Sequence, residues 1–222
     1  MSVPFVRPYD PARDFENGLH VFFVTIEPTL DWEPTRTIGS YLWYRVYTEL
    51  ASPTCFVLDD GNGRAVGYCI GTANTLEFAE RWRKEFAPTV NLEQVPAPGV
   101  QTGNPLMEKE ESRSFRHAVH NAGCSALQAW PKELERYPAH MHIDILPEFQ
   151  RKGWGSILIN RLFDAVKREG ATGIHLDMVR WNTKGENFYM KMGFERCSLV
   201  LDDGRSGDTG VNDVVLTLVR SL

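Results

Sequence analysis

"LPEFQRKGWGSILINRLFDAV", residues 146–166, places a glycine-rich turn directly before an amphipathic helical pattern. Gly153 and Gly155 are poor residues with which to begin a helix, because glycine loses more conformational freedom on folding than any other residue. The first amide groups of a helix lack an intrahelical partner, and the helix dipole adds partial positive charge there. A turn without side chains at this place predicts a site where the backbone approaches a phosphate closely.

The segments around this turn predict alternating strands and helices. Residues 139–146, "AHMHIDIL", alternate as a strand does, residues 156–170 form an amphipathic helix closed by Gly170, and residues 172–179 predict another strand. A short helix ending near Gly193 and a terminal strand at 213–222 follow. Strand–helix–strand order implies a crossover between parallel neighbours. The expected class is α/β or α+β with a mixed sheet.

The N-terminal part predicts two helices and a hairpin. The first helix begins after Asp10 as its N-cap and continues through residues 20–26, and the second covers residues 37–52. Residues 54–74 predict two strands around a turn at 59–63. Residues 76–137 interrupt this pattern with helical segments. We therefore expect a single domain over 1–222 with a helical insertion at about 76–137, as a lid or a dimer surface.

Composition excludes several classes of function. A net charge of −5 argues against binding nucleic acid through bulk charge, although it leaves room for a small basic pocket. No apolar run approaches the ~20 residues that a membrane span needs. The start of the chain has no signal-peptide pattern, and the four cysteines lie far apart. These features predict a cytoplasmic or nuclear protein with reduced thiols and no membrane partner.

One pair of histidines has a spacing that a metal site can use. His117 and His120 are three residues apart, but no carboxylate accompanies them as a third ligand. Solvent-exposed positions on a helix explain this pair of histidines better than a metal site does, so no metal site is expected.

The glycine turn fits neither of two common phosphate-binding motifs. The pattern G-x-x-x-x-G-K-[ST] is absent, and a dinucleotide fingerprint needs a glycine where Leu158 stands. "QRKGWG" at 150–155 instead resembles the [QR]-x-x-G-x-[GA] motif of the GNAT acetyltransferase superfamily. The context supports this: "ILPEFQRKGWG" resembles the family's strand end, and residues 182–194 resemble its N-x-x-G-x-x-F-Y-x-K-x-G-F pattern.

The resemblance is clear over 139–222, extends to the first two helices and the hairpin, and lapses over 76–137. It implies the GNAT fold, which is a mixed, mostly antiparallel sheet with a V-shaped splay between two parallel strands and helices on both faces. It also implies acetyl-CoA as cosubstrate. The residues expected to bind it are Ile145, Leu146, Gln150, Arg151, Lys152, Gly153, Trp154, Gly155, Ser156 and Asn182.

The same resemblance implies the chemistry of acetyl transfer. Tyr189 stands where the family often has the tyrosine that protonates the departing sulfur. A base must also deprotonate the amine, and an ideal strand places His142 and Asp144 on one face. Asp144 is the first candidate and His142 the second. Asp177, on a neighbouring strand, is a further candidate for the same cleft.

Acceptor recognition is expected in the loop before the second helix and in that helix. Trp32 and Tyr41 are candidates to stack on a sugar ring, and Asp31 is a candidate to hold a cation. A narrower resemblance, to the acetyltransferase-like domain of O-GlcNAcases, suggests a small primary amine such as glucosamine. The alternatives are a catalytically silent acetyl-CoA or amino-sugar sensor and a protein or histone lysine acetyltransferase. A homodimer is a further expectation.

Overall fold

The computed structural model describes residues 2–197 and 214–222. The described residues form a seven-stranded sheet in the order β1-β2-β3-β4-β5-β7-β6. The strands are β1 Phe5–Pro8, β2 Phe56–Asp59, β3 Ala65–Thr72, β4 Ala139–Ile145, β5 Gly173–Val179, β6 Glu195–Arg196 and β7 Val215–Ser221. The helices are α1 Phe15–Thr25, α2 Thr35–Ser40, α3 Val46–Leu50, α4 Thr75–Arg81, α5 Glu110–Asn121, α6 Pro131–Arg136, α7 Trp154–Arg168 and α8 Thr183–Lys191.

The pairing of strands confirms the expected GNAT-type sheet. Five of the six strand pairings among the described residues are antiparallel, and β4 and β5 are the parallel pair. The parallel strands pair only at Ala139 with Ile174 and at His140 with His175, although β4 continues to Ile145. The strands therefore separate after their first residues, which gives the V-shaped splay.

Helices cover both faces of the sheet. Tyr68 of β3 packs its ring against Tyr44 at 5.2 Å between centroids. Tyr44 lies in the π-helical segment Tyr41–Arg45, which joins α2 to α3 without a break. A side chain at Gly71, three residues along the same strand, would instead approach Leu162 of α7 at 3.1 Å. Because side chains at odd and even positions of a strand point to opposite faces, α2 and α3 lie on one face and α7 on the other.

The start of α1 differs from the sequence-based expectation. The helix begins at Phe15, not after Asp10, whose carboxylate accepts the amide of Ala12 in a separate turn. Asp14 precedes the helix, and its carboxylate is held by Arg7 at 2.8 Å instead of capping the helix. The helix thus begins directly after the buried aspartate that pairs with Arg7 of β1.

The segment 76–137 is built into the main core. The Trp82 ring is fully buried, and its indole nitrogen donates to the carbonyl of Val119 at 2.8 Å. Arg116, 2% exposed, donates to the backbone carbonyls of Pro96 and Ala97 and so holds the loop before α5. These contacts make the segment a structural part of the domain. Its use as a lid or dimer surface stays a prediction.

Candidate active site

The glycine turn places a row of unpaired amide groups at the start of α7. Gly153 has a φ of +89° and Arg151 a φ of +58°, so the chain turns twice through the left-handed region before the helix begins. The amides of residues 151–156 donate no hydrogen bond to any described residue. The Gln150 side chain donates to the carbonyl of Ile145 at 2.7 Å and fixes the turn to the end of β4. This arrangement can bind an anion through the backbone.

Gly153 and Gly155 are needed for different physical reasons. Gly153 needs the positive φ, and nothing lies within 4 Å of the place where its Cβ would be. A Cβ at Gly155 would instead approach the Phe188 ring of α8 at 3.0 Å. The expectation that both glycines serve only to admit a ligand is therefore incomplete, because Gly155 also admits a side chain of the protein itself.

The remaining residues expected to bind acetyl-CoA lie around this turn. Arg151 and Lys152 are exposed beside the unpaired amides, and Lys152 also lies over the Phe149 ring at 5.6 Å. Trp154 and Ser156 are half-buried in the first turn of α7. The two cations and the amides together give the turn a positive potential that suits phosphate groups.

Three further members of that set take structural positions. Ile145 and Leu146 are buried, and the Leu146 amide donates to the carbonyl of Val66 at 3.0 Å. The Asn182 side chain accepts the amide of Gly185 at 2.9 Å and caps α8. Such a cap satisfies one of the unpaired amides of the helix.

Asp144 lies half-buried on β4, on the face that α1 and α3 cover. Its Oδ2 accepts the hydroxyl of Tyr68, its direct cross-strand neighbour, at 2.6 Å. Burial raises the pKa of Asp144 to about 6, while hydrogen bonds from Tyr68 and Thr25 oppose the rise. A carboxylate with a pKa near neutrality is suited to accept a proton from an amine and release it to water.

Tyr189 of α8 lies near Asp144. Burial raises the pKa of its hydroxyl, and the negative charge of Asp144 adds to the effect. The hydroxyl therefore keeps its proton at neutral pH. It makes no hydrogen bond to a described residue, so that proton is available to a bound molecule.

His142 and Asp177, the other two candidates for the catalytic base, already make hydrogen bonds within the protein. The Nε2 of His142 contacts the Tyr47 hydroxyl at 3.1 Å, and burial lowers the pKa of His142 to about 4. Asp177 accepts the hydroxyl of Thr217 with one oxygen and the amide of Ala126 with the other. Because both of its oxygens are occupied, Asp177 is better suited to hold β5, β7 and the turn before α6 together.

The residues expected to recognise the acceptor each have partners within the protein. Tyr41 donates to Gln94 at 2.7 Å and lines a cavity of about 380 Å³ together with Arg45 and Phe86. Among the described residues no hydrogen bond or ring contact joins Tyr41 to Asp144. The role of Tyr41 in acceptor binding stays a prediction.

Asp31 and Trp32 lie in the loop between α1 and α2, where they have partners of their own. Asp31 pairs with Arg36 at 3.5 Å, and the ammonium of Lys109 lies 4.5 Å from the centroid of the half-buried Trp32 ring. Both side chains keep accessible surface and remain candidates for contact with an acceptor.

Sequence reasoning missed a contact across the mouth of the splay. Trp181, in the turn between β5 and α8, is half exposed, and its indole nitrogen donates to Glu27 at 3.2 Å. Glu27 follows α1, so this bond joins the two loops that border the open ends of the parallel strands. The sequence had no signal for it, because the residues are 154 positions apart.

The described residues include neither a metal-binding group nor a helix that could span a membrane. Residues 2–197 and 214–222 contain no group of three His, Cys, Asp or Glu side chains that could hold a metal ion. Over the same ranges, the helices are too short or too polar to span a bilayer.

Comparison with known proteins gives a consistent result. The model of the "Acetyltransferase (GNAT) family" matches residues 23–194. A crystal structure described as SsHAT is 30% identical, with 99% of this chain and 98% of that chain covered and a TM-score of 0.77. An agmatine N-acetyltransferase mutant in its apo form is 16% identical, covers 99% of each chain and has a TM-score of 0.53. The NatC complex bound to Gag peptide and CoA is 11% identical, covers 99% of each chain and has a TM-score of 0.51.

The two more distant structures support the fold alone. None of these descriptions names an O-GlcNAcase, so that narrower resemblance stays a prediction. The match of the family model over most of the chain agrees with the splayed parallel strands and the glycine turn. The chain belongs to the GNAT family of acetyltransferases.

Proposed function

We propose that this protein transfers the acetyl group of acetyl-CoA to a primary amine of a small molecule, with an amino sugar such as glucosamine as the first candidate. The observation that carries the proposal is the splay of β4 and β5, with Asp144 and Tyr189 beside it. Beyond His140 the edge of β4 toward β5 is unpaired, so its backbone groups are open to an extended ligand.

The glycine turn fits the phosphates of coenzyme A. Three features favour a polyanion there: six consecutive amides with no partner among residues 2–197 and 214–222, the start of a helix of 15 residues, and two exposed cations. When bound, acetyl-CoA supplies an acetyl thioester. The residues that would hold it are those of the turn, 150–156, together with the open edge of β4.

The side chains in the splay divide the proton transfers of the reaction. Asp144 accepts a proton from the acceptor ammonium, which leaves a neutral amine with a free lone pair. As the nitrogen–carbon bond forms and the carbon–sulfur bond breaks, Tyr189 donates its proton to the sulfur and regains one from the nitrogen. Asp144 then returns its proton to water. The raised pKa values of both groups suit these directions of transfer.

An amino sugar is favoured by the side chains near the end of β5. The exposed Trp181 ring has a face of the kind that packs on sugar rings, and Glu27 lies beside it. The half-buried Trp32, five residues after Glu27 in the same loop, is a second such ring. A carboxylate beside an aromatic ring suits a cationic acceptor. The resemblance to the O-GlcNAcase domain points to the same class of molecule.

Free coenzyme A release from acetyl-CoA tests the proposal. The acceptor panel contains glucosamine, other amino sugars, polyamines and lysine peptides, with acetyl-CoA binding measured beside it by calorimetry. We expect release that depends on an amino sugar and falls at least about 100-fold in Tyr189→Phe.

Tyr137→Phe is the matched control, because Tyr137 is a buried tyrosine at the other, paired ends of β4 and β5. Release with every amine except the amino sugars contradicts the choice of acceptor, and release only with lysine peptides indicates a protein acetyltransferase. Tight binding of acetyl-CoA without release on any acceptor contradicts turnover and indicates a sensor.

A further inference from the structure

Four polar side chains form a continuous hydrogen-bonded row behind the splay. The Thr75 hydroxyl lies 2.7 Å from Nδ1 of His140, and Nε2 of His140 lies 2.7 Å from the hydroxyl of Tyr47. The Tyr47 hydroxyl is also 3.1 Å from Nε2 of His142. The row begins at the backbone carbonyl of Pro138, which lies 2.7 Å from the Thr75 hydroxyl.

The carbonyl fixes the direction of every proton in this row. A carbonyl oxygen can only accept, so the Thr75 hydroxyl uses its single proton on Pro138 and must accept from His140. His140 therefore carries its proton on Nδ1, and its Nε2 accepts the proton of Tyr47. Burial lowers the pKa of His140 well below its ordinary value, so a second proton on the ring is excluded at neutral pH.

The same logic continues to His142. The only proton of Tyr47 is committed to His140, so the Tyr47 oxygen must accept, and Nε2 of His142 must donate. The lone pair of the neutral His142 ring is then on Nδ1. That atom has no partner among the described residues, and no buried side-chain nitrogen or oxygen in the described ranges lacks one. Nδ1 of the half-buried His142 therefore keeps accessible surface of its own.

We propose that Tyr47 and His140 are positioning residues that hold His142 in its Nε2–H tautomer, so that the free Nδ1 lone pair accepts a hydrogen bond from the acceptor ammonium and orients it toward Asp144. This role rests on the proposed function. His142 and Asp144 are two residues apart on one face of β4, which places their Cα atoms about 7 Å apart, and an amine can contact both side chains.

Asp144 and His142 differ in basicity and therefore have different roles toward the acceptor amine. The pKa of Asp144 is about 6, whereas burial lowers that of His142 to about 4. The carboxylate is thus the stronger base and takes the proton. The imidazole stays neutral, which is the state in which it has a lone pair to offer.

Nitrogen-15 NMR of the histidine side chains tests the tautomer directly, without any acceptor. In the unaltered protein we expect His142 to have a protonated Nε2 and an unprotonated Nδ1, and His140 to have the opposite arrangement. His142→Gln assigns the signals by removing one set. A protonated Nδ1 on His142 in the unaltered protein overturns the proposal, whether or not any acceptor is found.

Tyr47→Phe tests whether the Tyr47 hydroxyl fixes the tautomer of His142. Without the hydroxyl, we expect the His142 signals to move to values averaged between the two tautomers. The matched control is Tyr44→Phe, which removes a buried hydroxyl from the adjoining turn, where it bonds the carbonyl of Phe15 at 3.0 Å. The control should leave the His142 signals unchanged. Unchanged signals in Tyr47→Phe overturn the positioning role.

Kinetics supply a second readout once an acceptor is known. Losing one oriented hydrogen bond to the amine should raise its KM in Tyr47→Phe by about fivefold to tenfold, with the KM for acetyl-CoA unchanged. An equal rise in both KM values contradicts the proposal, because it indicates general disturbance of the fold. If no amine is acetylated, the proposed function fails while the NMR result still decides the tautomer.

Discussion

Replacing Asp144 with asparagine is expected to stabilise the protein while it slows acetyl transfer. The ordinary pKa of the carboxyl is 3.8, and burial raises it to about 6. Each pKa unit corresponds to about 1.4 kcal/mol, so the ionised carboxylate costs the folded state at most about 3 kcal/mol at neutral pH. Asp144 is half-buried, and solvent screening lowers the cost. We expect Asp144→Asn to raise the free energy of unfolding by about 1–2 kcal/mol.

The sign of the stability change in Asp144→Asn follows from the pH dependence of protein stability. The pKa of Asp144 is higher in the folded state than in the unfolded chain, so between pH about 4 and 6 the folded state binds more protons. The stability of the unaltered protein therefore falls relative to Asp144→Asn as the pH rises through this window. The difference should be near zero at a pH of about 3 and constant above a pH of about 7. The hydrogen bond to Tyr68 survives, because the amide oxygen of asparagine accepts the same hydroxyl proton.

The measurement is urea unfolding followed by tryptophan fluorescence at several pH values, beside acceptor-dependent release of coenzyme A. Asp164→Asn is the control, since Asp164 is an exposed carboxylate on α7. We expect a fall in kcat/KM of about 100-fold or more for Asp144→Asn and none for the control. An Asp144→Asn protein no more stable than the unaltered one at neutral pH would refute the conclusion that burial raises this pKa.

Two further predictions concern the buried ion pairs and the glycine turn. Arg7 contacts the buried carboxylates of Asp14 and Asp59, so Arg7→Leu should lower the free energy of unfolding by about 3–5 kcal/mol in urea titrations at neutral pH. Arg13→Leu, at an exposed pair, should change it by less than about 1 kcal/mol, and equal losses would contradict the argument. Gly153→Ala forces a side chain to a φ of +89°, so we expect a loss of about 1–2 kcal/mol and weaker acetyl-CoA binding in calorimetry. Binding and stability both unchanged would contradict the role of that turn.

Much of the fold followed from local patterns. The alternation in 139–146, the helical period of 156–170 and the hairpin around 59–63 all correspond to observed elements. Each depends on neighbouring residues alone, because side-chain periods and turn residues act over a few positions. The two short strands β1 and β6 were not predicted, since four and two residues are too few to show a period.

The start of α1 was predicted wrongly for a related reason. Asp10 before a proline has the local signature of an N-cap, but Arg7 on β1 draws the carboxylate of Asp14 into a buried pair. The strength of that pair depends on β2 as well, through Asp59. A local rule does not contain an interaction between a strand, a helix and a hairpin.

The sequence by itself determined the family, the glycine turn and the place of Tyr189 and Asp144 along the chain, because these are matters of residue type and short spacing. Only the tertiary structure decided what those groups can do. The pKa of Asp144 depends on its burial, and the tautomer of His142 depends on Tyr47 and Thr75, which lie 95 and 67 positions earlier in the chain. Desolvation and the direction of a proton in a hydrogen bond are properties of an enclosed space, and that space exists only after distant segments have packed around it.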